Sequence, residues 1–230
     1  SDEDIRLYGE TLAHEVGHNL GLPDLYHPPV PSVGPDKAQR NLGTWDIMAH
    51  ESAMAFTNIG NRLMLGQISP DHILSLNPAL DLDEDGQISQ MVTLSPVAQV
   101  TPDDGNYIGV EFRLSNDWNY YAEYRIAQPG QVGDQLSPIP AAGGNGAVLL
   151  TDLMTNRGEA PLERPTVMRV PEWPLLDDLG DSWQQNDIGT GNTLSVEVTG
   201  IGPDEVELWI RYGSVNADIW DGASPGVDPS

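Results

Sequence analysis

The segment that most constrains this chain is His14–Asp24, which reads H-E-x-x-H-x-x-G-x-x-D. Two histidines four residues apart on a helix project from the same face, about one turn apart, so both imidazoles can reach one zinc ion. Glu15 follows the first histidine, where a carboxylate can take a proton from a water activated by the metal. The spacing therefore predicts a zinc helix in which His14 and His18 bind Zn²⁺ and Glu15 is the general base.

The third ligand has two candidates. Gly21, three residues after His18, predicts a sharp turn with positive φ that would return the chain to the metal. Asp24 would then bind, because a carboxylate oxygen is an acceptable zinc ligand. His27 competes with it, the alternative being a loop histidine beside two prolines. A fourth position left open for water would mark the site as catalytic.

Periodicity divides the rest of the chain. The apolar residues Ile5, Leu12, Val16 and Leu20 fall at helical spacing, so residues 1–22 are predicted to be helical, as are residues 53–66. From about residue 90, six short runs predict strands, several of them half-buried and antiparallel, whereas 130–146 and 155–190 are predicted to be long loops. The expected fold class is α+β, with two helices joined by a long loop over 1–80, a β-rich region over 81–213 and a tail or linker over 214–230.

Charge limits the partners. The chain has 35 acidic and 10 basic residues, a formal net charge of −25. This balance argues against nucleic acid and anionic membranes, and no apolar run is long enough for a membrane span. It favours an extracellular, salty setting in which charge repulsion is screened, the alternative being an ordinary acidic secreted protein. The chain has no cysteine, so disulfides do not hold the fold.

An acidic segment suggests a second metal. Asp81, Asp83 and Asp85 alternate before Gly86, which matches the first positions of an EF-hand-type calcium loop. Position twelve of that loop, normally glutamate, is Val92. The segment is therefore either a weakened Ca²⁺ site completed from elsewhere or an acidic turn.

A methionine after a loop is the other signal. Met48 lies thirty residues after His18 within Gly43–His50, and this placement resembles the Met-turn of the metzincins, in which a methionine packs beneath the zinc ligands. The alternative is that Met48 is an ordinary core residue. His50 follows two residues later, where an imidazolium could stabilise a developing oxyanion. Its alternative is a surface histidine beside Glu51.

Together these motifs resemble the immune inhibitor A family of secreted bacterial metalloproteases. The likeness lies in the zinc motif extended through Leu25-Tyr26, in W-D-I-M, and in several later segments. These segments are Ser52–Ile68 with its Leu-Gly end, Tyr121–Arg125, Gly146–Leu150 and Gly180–Trp183. The zinc motif is the specific part of the match. One departure is Asp24, since metzincins place a histidine as the third ligand.

The resemblance implies a secreted zinc endopeptidase that cleaves protein or peptide substrates, with a zincin-like active-site helix and a Met-turn. In metzincin-like enzymes an upper subdomain precedes the zinc helix, so we expect a separate or cleaved N-terminal segment to complete the catalytic domain. The rival hypothesis is a non-catalytic, calcium-bound β-rich structural or adhesion module that keeps a relic zinc helix. Proteolysis that needs Glu15 and is blocked by a chelator would separate the two.

Overall fold

The computed structural model describes residues 2–22, 46–48, 57–99, 101–115, 118–126, 146–154, 167–169, 175–176, 178–186 and 191–214. Within these ranges the fold is mixed α+β and mostly sheet, with two sheets and few helices, which confirms the predicted class at that level. The predicted division near residue 80 stays a prediction. The tail at 214–230 lies, apart from Ser214, outside the described residues.

The helices in these ranges are α1 (Asp2–Asn19), α2 (Ile59–Met64) and α3 (Pro78–Asp81), with a 3₁₀ turn at Pro70–His72. Helix α2 begins later than the predicted 53–66. Asn58 has extended backbone, and its side chain accepts a hydrogen bond from the Asn61 N–H at 2.9 Å, so Asn58 is the N-cap. Within the described parts of the chain, no helix is both long enough and apolar enough to cross a bilayer.

The strands are β1 (Ile73–Leu76), β2 (Ile88–Leu94), β3 (Gly109–Ser115), β4 (Trp118–Arg125), β5 (Ala147–Met154), β6 (Val167–Arg169), β7 (Leu175–Leu176), β8 (Ser182–Asn186), β9 (Asn192–Ile201) and β10 (Val206–Ser214). All six predicted strands are confirmed. The prediction of a loop over 155–190 is wrong, because β6, β7 and β8 lie there. The first two of these strands are too short to carry a readable alternation.

The strands form two sheets. Sheet A has the order β1-β3-β4-β5-β6, with β7 also pairing with β5, and sheet B has the order β2-β10-β9-β8. Strand β1 runs parallel to β3, whereas the other named pairs are antiparallel. A parallel pair requires a crossover, which here contains β2 of the other sheet. The two sheets are therefore connected early in the chain.

The main core lies between the inner faces of the two sheets. Phe112 of sheet A and Tyr212 of sheet B have ring centroids 5.3 Å apart, and those of Tyr120 and Trp183 are 5.1 Å apart. Alternate residues of the longer strands, such as Leu194, Val196 and Val198 of β9, supply this core, as expected for two packed sheets. The burial of these aromatic rings holds sheet A against sheet B.

A second, smaller core covers the outer face of sheet A. It brings Leu22 at the end of α1, Met48 and Ile59 of α2 together over Tyr121 of β4. At Gly109 of β3 a Cβ would overlap Ile59, so only glycine allows α2 to approach this closely. Sheet A is thus buried on both faces, and its outer face supports the end of α1, the turn that contains Met48, and α2.

Several of the predicted strands were expected to be half-buried, with polar residues facing solvent. Strand β4 is not of this kind. Glu123 and Arg125 are instead 0 % exposed. The reason is that the segment containing Met48, together with α2, covers the face on which they lie.

Candidate metal centre

The end of α1 is defined by a glycine cap. Gly21 has φ +92°, as the sequence predicted. The Gly21 N–H donates to the carbonyl of His18, and the Leu22 N–H donates to the carbonyl of Gly17, both at 3.0 Å. This pair of bonds is a Schellman motif, which satisfies carbonyls that the helix leaves without partners. The motif turns the chain back, so that Leu22 lies beside the last turn of α1.

Both histidines use Nδ1 to bond a backbone carbonyl. Nδ1 of His14 lies 2.8 Å from the Ile47 carbonyl oxygen, and Nδ1 of His18 lies 3.0 Å from the Leu22 carbonyl oxygen. A carbonyl oxygen can only accept, so Nδ1 carries the proton in each ring. In the neutral ring Nε2 then holds the lone pair. Metal-binding histidines are fixed in this way, by a bond from the other ring nitrogen to a carbonyl or carboxylate.

The two rings are neighbours. Their centroids are 4.6 Å apart and their planes are nearly perpendicular, at 88°. His14 is only 2 % exposed, whereas the Glu15 side chain beside it is exposed. The arrangement therefore places two imidazoles of the same tautomer one helical turn apart, with a carboxylate on the adjacent, solvent-facing side of α1. These donors fit a zinc ion, which takes neutral imidazole nitrogens.

Met48 packs under this part of the helix. Its side chain is 0 % exposed, and a Cβ at Gly17 would overlap the Met48 sulfur. The Leu22 side chain also lies close to the position that such a Cβ would take. Gly17, which directly precedes His18, thus has to be small, because the methionine occupies the space where a side chain would begin.

A buried carboxylate holds the turn that contains Met48. Oδ1 of Asp46 accepts the Met48 N–H at 2.7 Å, and Oδ2 accepts the Asn58 N–H at 2.6 Å and the Asn58 Nδ2 at 2.5 Å. Burial raises the pKa of Asp46 to about 6, while these hydrogen bonds and the positive charge of Arg125 act in the opposite direction. The carboxylate joins residues 46–48 to the first turn of α2.

A buried ion pair on β4 lies beneath this group. Arg125 donates to Oε1 of Glu123 through Nε, at 2.7 Å, and through Nη2, and neither side chain is exposed. Oε2 of Glu123 accepts the Ile59 N–H at 2.6 Å. An anion at the first residue of a helix satisfies a backbone donor that the helix itself cannot. The ion pair therefore anchors the start of α2 to sheet A.

The remaining predicted site residues divide into two groups. Asp24, His27 and His50 lie outside the described residues. The acidic loop is described, and Gly86 has φ +75° while Ile88 is buried, as the calcium-loop pattern predicts.

The carboxylates of this loop bond to backbone. Asp81 accepts the Asn77 N–H at 2.6 Å, and Oδ1 of Asp83 accepts the N–H groups of Asp85 and Gln87 at 3.0 and 2.8 Å. Among the residues that the structure describes, no three or more His, Cys, Asp or Glu side chains converge in a way that could hold a metal ion. The loop leads into sheet B, whereas the two histidines lie on the side of sheet A.

Sequence reasoning missed Asp46 and Asn58 and noted Glu123 and Arg125 only as part of a family pattern. A signal was present in β4, where Tyr121–Arg125 places two opposite charges two residues apart, and therefore on one face of a strand. Comparison of the chain with protein-family models, curated proteins and solved structures found no match.

Proposed function

We propose that this chain carries the zinc site of a secreted endopeptidase of the immune inhibitor A type, which hydrolyses peptide bonds in protein substrates. The observation that carries the proposal is that His14 and His18 both donate from Nδ1 to a backbone carbonyl. Two Nε2 lone pairs one turn apart are what a zinc ion needs from an H-E-x-x-H helix. On this proposal α1 is the active-site helix and Asp46–Met48 belongs to the Met-turn.

The residues have distinct proposed roles. His14 and His18 bind the metal through Nε2, and Asp24 or His27 supplies the third ligand. Zinc, when bound, supplies a Lewis acid that polarises the scissile carbonyl and lowers the pKa of the attacking water. Glu15 accepts the proton of that water and then donates it to the leaving amine, while His50 stabilises the developing oxyanion.

A metal analysis and a protease assay test this proposal. We expect about one zinc per chain, with anomalous scattering between His14 and His18, and cleavage of casein that stops with a chelator and returns with zinc. Zinc binding should be lost in His14→Ala and kept in His72→Ala, a change of a histidine outside the motif. Absence of zinc from both the parent chain and the zinc-loaded chain would contradict the proposal.

We also propose that a separate or cleaved N-terminal segment packs on α1. Support comes from an apolar stripe at helical spacing in which Tyr8 is 78 % exposed, Leu12 65 % and Leu20 59 %. Such a stripe on a helix of a folded protein normally contacts another element. A second chain should co-purify with this chain from its natural source.

Substitution of the stripe tests that contact. We expect Leu12→Arg/Leu20→Arg to lose the co-purifying chain. A matched double variant, Leu80→Arg/Leu179→Arg, changes exposed leucines elsewhere and should keep it. Equal retention by both variants would count against the stripe as the contact surface.

Two further proposals concern the acidic loop and the rival function. Calcium binding by Asp81, Asp83 and Asp85 stays a prediction, supported by Gly86 in the left-handed region and by the buried Ile88. A calcium-bound β-rich module without catalysis is the alternative to the protease. A chain that binds calcium and folds normally, but cleaves nothing when loaded with zinc, would favour that alternative.

A further inference from the structure

The Asp46 carboxylate controls the shape of the turn that contacts His14. Asp46 and Met48 flank Ile47, and the bond from the Met48 N–H to Asp46 Oδ1 closes the backbone around that residue. The Ile47 carbonyl is the group that accepts the proton of His14 Nδ1, at 2.8 Å. The direction of this carbonyl therefore depends on the bond that Asp46 makes to the following residue.

The same carboxylate ties the turn to a fixed support. Its second oxygen receives both donors of Asn58, the N-cap of α2, and α2 is in turn bonded to Glu123 of β4 through the Ile59 N–H. Arg125 pairs with Glu123 and has a favourable charge interaction with Asp46. An unbroken series of buried polar contacts thus runs from sheet A to the turn beside His14.

A purely structural role for Asp46 would explain its burial and the loss of stability on substitution. It would not by itself explain why the turn it closes presents its middle carbonyl to a histidine of the zinc motif. A backbone carbonyl can orient a histidine ring only if the carbonyl itself is held, because a shift of a few tenths of an ångström weakens a hydrogen bond. Partners of this kind typically change metal affinity by about 10–100-fold.

We propose that Asp46 is a positioning residue for His14. By fixing the Ile47 carbonyl, it keeps the proton of His14 on Nδ1 and so directs Nε2 toward the metal. The part of this inference that concerns zinc rests on the proposed function. The part that concerns the His14 tautomer does not, because it is a property of the metal-free chain.

Asp46→Asn is the main test. Asparagine keeps the size of the side chain but replaces one acceptor oxygen by an NH₂ group, which then faces the N–H donor of Met48 or the donors of Asn58. Zinc affinity is measured at pH 8 by competition with a chelating dye, and the His14 tautomer is read from ring nitrogen shifts in the zinc-free protein. We expect zinc affinity to fall by about 10–100-fold. His14 should lose its uniform Nδ1–H tautomer, while His18 should keep its Nδ1–H tautomer.

A control variant separates this effect from general damage. Glu111 is also a buried carboxylate of sheet A, and it accepts from Tyr121 at 3.0 Å, from Arg113 at 2.7 Å, and from Asn119 and Ser75 at 3.2 Å. Among the described hydrogen bonds, none joins Glu111 to residues 46–48. Glu111→Gln should therefore lower the melting temperature yet leave zinc affinity and the His14 tautomer unchanged.

A second variant covers the case in which Asp46→Asn does not fold. Asn58→Ser keeps a residue that can cap α2 but removes the Nδ2 donor to Asp46, so a smaller shift in the same direction is expected. The inference is overturned if the folded variants keep the wild-type tautomer of His14. If the wild-type chain binds no zinc, the proposed function fails, but the tautomer comparison still decides the role of Asp46.

Discussion

The sulfur of Met48 lies against the backbone of Gly17, the residue of α1 that directly precedes His18. A Cβ at that position would overlap the sulfur, although a methionine side chain can move more easily than most. Helix and turn are therefore in contact with no Gly17 side chain between them. Adding one methyl group to Gly17 would force the helix, the turn or the methionine to move.

Gly17→Ala should destabilise the protein despite the better helix propensity of alanine. Inserting a methyl group into a packed contact costs about 1–3 kcal/mol, and we expect urea unfolding to show a loss in that range. Gly9→Ala is the matched control, since Gly9 lies on the same helix and a Cβ added there would meet nothing within 4 Å. The free energy of unfolding of Gly9→Ala should rise by about 0.5–1 kcal/mol. Equal stability gains in both variants would show that Met48 moves aside freely.

If the chain is the proposed endopeptidase, Glu15→Gln should abolish its activity and leave zinc bound. Glutamine keeps the shape of the side chain but cannot accept a proton from water, and loss of a general base typically costs about 10²–10⁴-fold in rate. Activity on casein and zinc content are measured together on each preparation. Glu207→Gln, an exposed carboxylate of β10, is the control and should retain activity. Turnover like that of the parent in Glu15→Gln would reject the mechanism.

Arg125→Met should be among the most damaging substitutions in the chain. It leaves the Glu123 carboxylate buried without its cation, and breaking a buried ion pair in this way costs about 3–5 kcal/mol. Arg113→Met removes the cation from a similar pair with Glu111, but the Arg113 side chain is 52 % exposed, so a cost below about 1 kcal/mol is expected. Similar unfolding free energies for the two variants would contradict the role of burial.

The stability contributed by Asp46 should depend on pH. Its pKa is raised from 3.8 to about 6, so the folded state holds the proton more tightly than the unfolded chain does. This contribution is complete below the pKa of the unfolded chain, 3.8, and is lost as pH rises through the folded-state pKa of about 6. The stability of wild type minus that of Asp46→Asn should fall by about 2 kcal/mol between pH 4 and pH 7. A stability difference between wild type and Asp46→Asn that stays constant, or rises with pH, would be inconsistent with the raised pKa of Asp46.

Calcium should raise the melting temperature if the acidic loop binds it. Millimolar calcium then stabilises the folded state by mass action, and Asp83→Ala should remove that shift. Asp104→Ala is a suitable control, because Asp104 is an exposed aspartate that also precedes a glycine with positive φ. Identical melting curves in calcium and in EGTA would exclude a site of useful affinity.

The parts of this fold that could be predicted from the sequence are those with a local physical cause. The motif and the helical period predicted α1, and the need for positive φ predicted the cap at Gly21. Alternation of apolar residues predicted the long strands. The start of α2 was misplaced because its periodic pattern extends past Asn58, and only the capping bond identifies where the helix begins.

Only the proposed ligands of the candidate site could be named from the sequence. The environment of His14 depends on Ile47, which is 33 residues away, and on Asn58 bonding to Asp46. Neither contact has a signature in local sequence. Likewise, whether water or protein covers the polar side of β4 depends on tertiary packing, which the residues of the strand do not reveal.

Strand β4 has little freedom to change its pairing with β3 and β5. Tyr120, Ala122 and Tyr124 face the core between the sheets, while Glu123 and Arg125 face α2 and the turn at Asp46. A slip of one residue would exchange these two sets, placing an ion pair in an apolar core and aromatic rings where α2 needs an acceptor. Single-residue insertions or deletions inside β4 should therefore be tolerated far less than those in the exposed Asp103–Gly105 turn, a difference that a scan of such length variants would measure.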